Sequence, residues 1–499
     1  MAQNSRYADR IALVIAVIGI FVTGFIADRV YERIPHLEDE FALLWQAEVI
    51  AEGDLYRPSP EHERSFLIPF VVDFEGRRFG KYAPGWPATL SLGARLDAAG
   101  WVNPLLSGAA LWFAYRLARK LLNPGLSLLA ELLLLSSPMF LMLSGTLMSH
   151  MLSLLLAIAF MLAWWDLFLY GGSDAEIPRG LLVSVAGASI GLLFLTRPLT
   201  AVAIAFPFGI HAVLLLVHTS RREGAALFGL AVLGAALAAL LLLWNWALTG
   251  DALTNLYTLW WPYDRIGFGP GIGVTQSGHS LYWAYYNTRF SLQAGLHDLF
   301  GWPYLSWILI PFGLIALSRR PGMWLLGSVF ISLVLAYGFY WIGSWLFGPR
   351  YYFEALPGLA IMSAGGFGWL GGWTTCSSGA LRVRRLVSLA VVTGLLLINV
   401  VFYLPRRVGG MQGLYGIDRQ SASPFEVSQP DQSLIIIRAP RWFHYARYLY
   451  QVEPFSDSQL LIAWSRGDEI DGRLMRSYPH RAIYYYDVEN DVIELVPPR

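Results

Sequence analysis

Eleven stretches of roughly 20 mostly apolar residues, the length that crosses the hydrocarbon of a bilayer, recur along this chain. They are 10–29, 102–121, 124–143, 150–169, 180–196, 198–217, 225–247, 299–317, 323–343, 352–371 and 387–404. A helix that is apolar on every side has to be covered by protein or by lipid. Composition agrees with lipid. Of 499 residues, 56% are hydrophobic and only 14% are charged, where a soluble chain carries about 25% charged residues. Mean hydropathy is +0.48. The expectation is an all-α polytopic membrane protein of about eleven transmembrane helices, several of them interrupted by Gly or Pro, as membrane helices tolerate. Ile11 to Ala27 is followed by Asp28 and Arg29 rather than by a small-residue cleavage site, so it reads as an anchor that stays.

Charge orients the series. Arg6 and Arg10 precede the first stretch, Arg116, Arg119 and Lys120 end the second, and Arg179 precedes the fifth. Arg221 and Arg222 follow the sixth, Arg319 and Arg320 follow the eighth, and Arg382, Arg384 and Arg385 precede the last. A cytoplasmic N-terminus puts every one of these clusters on the cytoplasmic side, in line with the positive-inside bias. The segments 30–101, 248–298, 344–351 and 405–499 then lie outside. Pro84 to Leu96 is apolar but short, and as a full span it would invert every later cluster. It reads as a helix lying in the interface. The first outer loop thus holds two interfacial helices, about 41–53 and 86–97, joined by a polar stretch.

Two function classes drop out. A net charge of +1 lacks the basic excess of a nucleic-acid binder. The single cysteine, Cys376, allows neither an intrachain disulfide nor a cysteine-based metal site.

Asp39 and Glu40 lie just beyond the first stretch and open a segment of helical periodicity, Phe41 to Glu52, closed by Gly53. A carboxylate pair held at the start of a surface helix suits acid/base or metal chemistry at a bilayer face. The plainer reading is that Asp39 only caps the helix. Other polar residues fall at the outer ends of the spans. Lys81, one of two lysines, stands with Tyr82 before Ala83-Pro84-Gly85-Trp86-Pro87; alone it reads equally as a snorkelling cation. His150 lies at the turn between the third and fourth spans, where a hydrogen-bonded structural role is the commoner one. Arg197, in Thr196-Arg197-Pro198, sits between the fifth and sixth, and an arginine at membrane depth is costly enough to mark function. Asp264 and Arg265 follow Trp260-Trp261-Pro262-Tyr263, aromatics that suit an interfacial belt. Arg350-Tyr351-Tyr352-Phe353-Glu354 opens the tenth span, where Glu354 needs a cationic partner such as Arg350. These residues share one side of the membrane. Acids, one lysine, arginines and tyrosines suit a ligand with an anionic phosphate, which Arg clamps bidentately and Lys meets as a point charge.

The order and sidedness of these motifs resemble the GT-C integral-membrane glycosyltransferases. The branch is the bacterial one that includes the lipid A aminoarabinose transferases and protein O-mannosyltransferases, and the likeness covers roughly residues 1–404. It implies transfer of a sugar from a polyprenyl-phosphate donor to a lipid, glycan or protein acceptor on the outer face of the bacterial inner membrane. Asp39 matches the first-loop aspartate that acts as base or orients the acceptor, and Glu40 the supporting or metal-proximal acid. Lys81, with Tyr82, matches the position that meets the carrier phosphate; Arg350 and Tyr351 match phosphate or lipid-head contacts. His150 stands where many relatives carry an aspartate, which leaves a divalent metal on Glu40 and His150 an open expectation.

The tail from Pro405 is more polar. Leu434–Ile437, Leu460–Ala463, Ala482–Tyr486 and Val492–Leu495 read as strands, and Trp442 to Gln451 and Ile470 to Tyr478 as helices. The expectation is a transmembrane catalytic domain over 1–404 and a small outer-face α/β domain over 405–499. The Gly-rich segment 267–280 reads as a mobile outer loop able to gate a site. The rival reading is a transporter or flippase of a lipid-linked anion, favoured by intramembrane charge at Arg197 and Glu354. The clustering of charge on one face and the lack of a visible inverted repeat speak against it. A scaffold for other membrane enzymes is the third reading.

Overall fold

The computed structural model describes residues 2–170, 177–218, 220–373, 379–420, 432–449 and 458–496. Cys376 lies outside them. The chain opens with the long apolar helix α1 (Ala2–Arg29). The segment expected to be the first outer loop follows, as α2 (Glu38–Ala51), β1 (Arg57–Pro58), β2 (Val71–Phe74), β3 (Arg77–Gly80) and α3 (Gly85–Ala94). Both short helices expected in this loop form. The polar stretch between them is an antiparallel sheet of order β1-β3-β2. Glu75 and Gly76 join β2 to β3 with φ of 48° and 78°, the paired left-handed residues of a tight hairpin.

Next come α4 (Ala99–Ala118), α5 (Pro124–Leu135), α6 (Pro138–Gly145) and α7 (His150–Trp164). Asn123 caps α5 by accepting from Leu126 N at 3.0 Å, and Ser137 caps α6 by accepting from Phe140 N at 3.3 Å. The stretch 124–143 is therefore two helices and not one. Pro138 has no N–H with which to continue the helix, and its two halves meet at a bend of 56°. Arg197 divides α8 (Arg179–Thr196) from α9 (Pro198–His218), since a residue before proline is pushed out of the helical region. Then follow α10 (Arg221–Ala238), α11 (Leu240–Thr249), α12 (Leu256–Trp260), α13 (Leu281–Asp298), α14 (Ile310–Leu317) and α15 (Met323–Gly338). A 3-10 turn, Arg350–Ala355, leads into α16 (Leu356–Leu370), and α17 (Gly379–Ile398) and α18 (Leu404–Gly409) end this part.

Among the described residues, six helical stretches are long and apolar enough to cross a membrane, or seven if α5 and α6 count as one span. This is fewer than the eleven expected. α4 is long enough but less apolar, and α15 is short. The stretch 299–317 is helical only from Ile310. Gly301 and Tyr304 take φ of 68° and 62°, and Ser306 Oγ accepts from the N–H groups of Phe300 and Trp302, both at 3.3 Å.

The tail forms the four expected strands, β4 (Ser433–Arg438), β5 (Leu460–Trp464), β6 (Ala482–Asp487) and β7 (Val492–Leu495), with α19 (Trp442–Ala446) and α20 (Asp468–Ser477). The end of the helix expected over Trp442 to Gln451 lies outside the described residues. β5, β4 and β6 are parallel neighbours, and β7 closes the order as an antiparallel edge. Ile435, Ile437, Ile462 and Tyr486 form one core with Tyr445 of α19 and with Phe41, Trp45 and Phe70 of the loop between α1 and α4. Leu434, Ile436, Leu461 and Ala463 pack with Leu474 of α20 on the other face.

Candidate active site

Glu40, not Asp39, secures the start of α2. Its Oε2 accepts from His36 N at 2.9 Å and Leu37 N at 3.1 Å, and its Oε1 accepts from Leu147 N at 2.7 Å. One buried carboxylate thus satisfies free amides at the helix start and ties α2 to the turn between α6 and α7. Glu40, expected beside Asp39 as a supporting or metal-proximal acid, is turned away from it with both oxygens in use. Asp39 is left free of capping. Its Oδ1 accepts from the Tyr82 hydroxyl, its Oδ2 lies 3.9 Å from Arg350 Nη2, and its side chain is 27% exposed.

Lys81 stands at the end of β3. Its Nζ is 3.2 Å from Asp264 Oδ2, and both side chains are buried. The ammonium faces the Phe70 ring at 3.6 Å, with Trp261 at 4.9 Å and Tyr257 at 5.1 Å. Asp264 Oδ1 accepts from Tyr340 Oη and Trp341 Nε1, each at 3.0 Å. Burial draws the Lys81 ammonium below its ordinary pKa, and Asp264 opposes this.

Arg197 gathers the third group. Its Nη1 donates to His150 Nε2 and its Nη2 to Tyr337 Oη, each at 2.9 Å. Its Nε is 3.7 Å from Glu354 Oε1, which also accepts from Ser153. Tyr337 stacks on Tyr351 at 4.4 Å, and Tyr351 lies beside Arg350. The close approach of α3 to the α8–α9 turn joins the groups. A methyl group at Gly85 would lie 2.8 Å from the Leu195 carbonyl oxygen and 2.7 Å from Thr196 Oγ1, so only glycine fits there.

Asp39, Lys81, Tyr82, His150, Arg197, Asp264, Arg350, Tyr351 and Glu354 are thus brought into one connected cluster by α2, β3, α7, the α8–α9 turn, the 251–280 segment and the 3-10 turn. Arg265 is exposed and Tyr352 packs against Phe330, so neither joins it. Segment 267–280 is anchored at the end of α15, with His279 Nε2 at 2.9 Å from the Gly338 oxygen. Sequence reasoning missed Tyr257, Tyr337, Tyr340 and Trp341, whose aromatic rings carry no sequence signal that sets them apart from their neighbours, and Glu38, the first of three consecutive acids. Glu38 is pushed up to about 7 by burial and by Asp39, with Lys81 opposing.

The cluster does not suit a metal. Among the described residues no three of His, Cys, Asp and Glu converge to hold one. The Glu40 oxygens are taken by amides, and His150 Nε2 faces a guanidinium, which repels a cation.

No protein-family model matches the chain, and no curated protein gives a significant match. Solved structures do match. ArnT from Cupriavidus metallidurans in the apo state aligns with a TM-score of 0.59 at 12% identity, over 95% of this chain and 92% of that one. ArnT bound to undecaprenyl phosphate gives 0.57 at 14%, over 96% and 89%. The Archaeoglobus fulgidus oligosaccharyltransferase in the apo form gives 0.53 at 14%, over 90% and 64%. The chain has the fold of the GT-C membrane glycosyltransferases, the family its motifs resemble.

Proposed function

We propose that this protein moves a sugar from a polyprenyl-phosphate donor to a lipid, glycan or protein acceptor on the outer face of the bacterial inner membrane. The observation that carries the reading is a half-buried carboxylate, Asp39, facing Arg350 in one connected cluster that also holds two further cations, Lys81 beside Asp264 and Arg197 beside Glu354. The fold match to a structure bound to undecaprenyl phosphate supports it.

In this reading the acceptor heteroatom attacks sugar C1 while Asp39 takes its proton. The bond from C1 to the phosphate oxygen breaks, and polyprenyl phosphate leaves with the electron pair. A single displacement inverts the anomeric centre. Lys81, Arg197 and Arg350 offset the charge on the leaving phosphate, a preorganised electrostatic effect that is usually the largest catalytic contribution. Tyr82 and Arg350 hold Asp39 in place. Glu40 acts at one remove, by fixing the start of α2. The bias of the basic clusters towards one side supports a cytoplasmic N-terminus and an outer tail.

The test is twofold. Mass spectrometry of envelope lipids and glycans with and without the protein should show one sugar missing. The purified protein should release polyprenyl phosphate from the matching donor only when acceptor is present. An unchanged envelope together with no acceptor-dependent release would remove the proposal.

A further inference from the structure

The tail sheet carries a cavity built from residues that play no part in the cluster around Asp39. β5, β4 and β6 are parallel, and the first strand in the chain lies in the middle. The chain leaves β4 towards β5 on one side and returns to β6 on the other, with α19 and α20 on opposite faces. The order therefore reverses between β4 and β6. In open α/β sheets the crevice beyond the carboxyl ends of the strands at such a reversal is where ligands bind. Arg438 and Asp487 are the last register partners of these two strands.

A cavity of about 220 Å³ lies there, lined by Arg438, Tyr485, Asp487, Asn490, Val492 and Glu494. The strand residues are cross-strand neighbours at alternate positions, so they share one sheet face. α20 covers the half of that face bearing Leu434, Ile436, Leu461 and Ala463 and leaves this half open. An adjoining cavity of about 280 Å³ shares Arg438 and Asp487 and reaches Ser465 and Glu489.

The lining is arranged in advance. The Arg438 guanidinium lies 3.9 Å over the Tyr485 ring, and the Tyr485 hydroxyl donates to Asp471 at 3.3 Å. Asp487 accepts from the N–H groups of Glu489 and Asn490 at 2.9 and 3.2 Å and from Asn490 Nδ2 at 2.8 Å. Planar guanidinium, carboxylate and amide groups offer paired donors and acceptors, which suit neighbouring hydroxyls. Asp487, Glu489 and Glu494 outnumber Arg438, so the sign of charge is opposite to that around Lys81. A phosphate is further disfavoured because Asp468, Glu469 and Asp471 already occupy the first turn of α20. Each cavity is smaller than the ~300 Å³ at which drug-sized pockets begin, so each holds one small unit.

We infer that this crevice is a saccharide-binding site, taking a terminal sugar unit that is uncharged or bears an amine. Its test reads binding rather than turnover, so failure here leaves the proposed transfer standing, and the reverse holds too.

The experiment is saturation-transfer NMR on the full chain in nanodiscs, with methyl glucoside, glucosamine and glucose 1-phosphate as probes. Transfer to the first two is expected. It should weaken about tenfold in apparent affinity in Arg438→Gln and in Asp487→Asn, the scale of one charge-assisted hydrogen bond. Asp39→Asn should leave it intact. Asparagine at 487 still accepts the loop amides, and an unchanged melting temperature checks the fold. Absence of transfer in the wild type, transfer insensitive to both tail substitutions, or transfer lost in Asp39→Asn would overturn the assignment. An Arg438-sensitive signal from glucose 1-phosphate would overturn the charge argument and with it the ligand class.

Discussion

Lys81 and Asp264 form an ion pair 3.2 Å long whose side chains are 3% and 0% exposed. They are 183 residues apart in the chain and bind the loop between α1 and α4 to the segment before α13. Two buried charges are tolerated only when the remaining lone pairs and protons are met. Tyr340 and Trp341 meet those of Asp264, and the Phe70 ring lies against the ammonium. In the proposed reaction the donor phosphate would compete with Asp264 for the Lys81 ammonium.

Asp264→Asn leaves a buried ammonium without its counter-charge. Breaking a buried pair from one side costs about 3–5 kcal/mol, so the melting temperature should fall clearly. Lys81→Met combined with Asp264→Asn should recover part of the loss. A double variant no more stable than Asp264→Asn alone would show that the pair is not coupled.

Asp39→Asn should stay folded, because Glu40 and not Asp39 holds the start of α2. An amide cannot take the acceptor proton, and removal of a general base costs about 10²–10⁴-fold in rate. A purified Asp39→Asn protein that transfers sugar at the wild-type rate would assign the base elsewhere.

Arg350→Ala should weaken donor use more than acceptor use, by about tenfold to a hundredfold, the worth of a charge-assisted contact of roughly 1.5–3 kcal/mol. Arg350→Lys should recover only part, since an ammonium lacks the bidentate fork. Kinetics with varied donor and fixed acceptor decide it; equal donor dependence in all three proteins would make Arg350 a structural residue.

Glu38 carries the pH dependence of the outer loop. Burial raises its carboxyl from 4.5 to about 7, so the folded chain holds this proton more tightly than the unfolded chain. The stabilisation is complete below pH 4.5 and is lost as pH rises through about 7. At about 1.4 kcal/mol per pH unit the ceiling is roughly 3 kcal/mol. Glu38→Gln should therefore melt higher than wild type at pH 8 and much the same at pH 5. An equal difference at both pH values would remove Glu38 as the titrating group.

Reporter fusions should read the N-terminus as cytoplasmic and positions after Leu404 as outside, because the short basic connections then all face inward. A cytoplasmic reading after Leu404 would invert the proposed active face.

Much of the cluster was legible because buried charge is rare in apolar sequence, so Lys81, Arg197, Arg350 and Glu354 stood out as soon as the spans were drawn. The strands of the tail were legible because Leu434–Ile437 and Ala482–Tyr486 are short β-rich runs between polar breaks. Side-chain direction was not. Glu40 and Asp39 look alike in sequence, and only the packing of α2 against Leu147 decides which carboxylate faces amides and which faces Tyr82. The β1–β3–β2 sheet was hidden because Arg57, Arg77 and Arg78 give no alternating apolar pattern. Continuous helices expected over 124–143 and 299–317 do not form, because Ser136-Ser137-Pro138 and Gly301-Trp302-Pro303-Tyr304 break the helix inside apolar runs.

Phe41 and Trp45, on the helix that carries Asp39, share their core with Ile435, Ile437 and Ile462 of the tail. Residues joined in one core gain and lose order together. Deleting the tail would strip the apolar backing from α2 and let Asp39 wander from Tyr82 and Arg350. The tail is thus a keystone for the proposed transfer chemistry, and its loss should register first as failed catalysis.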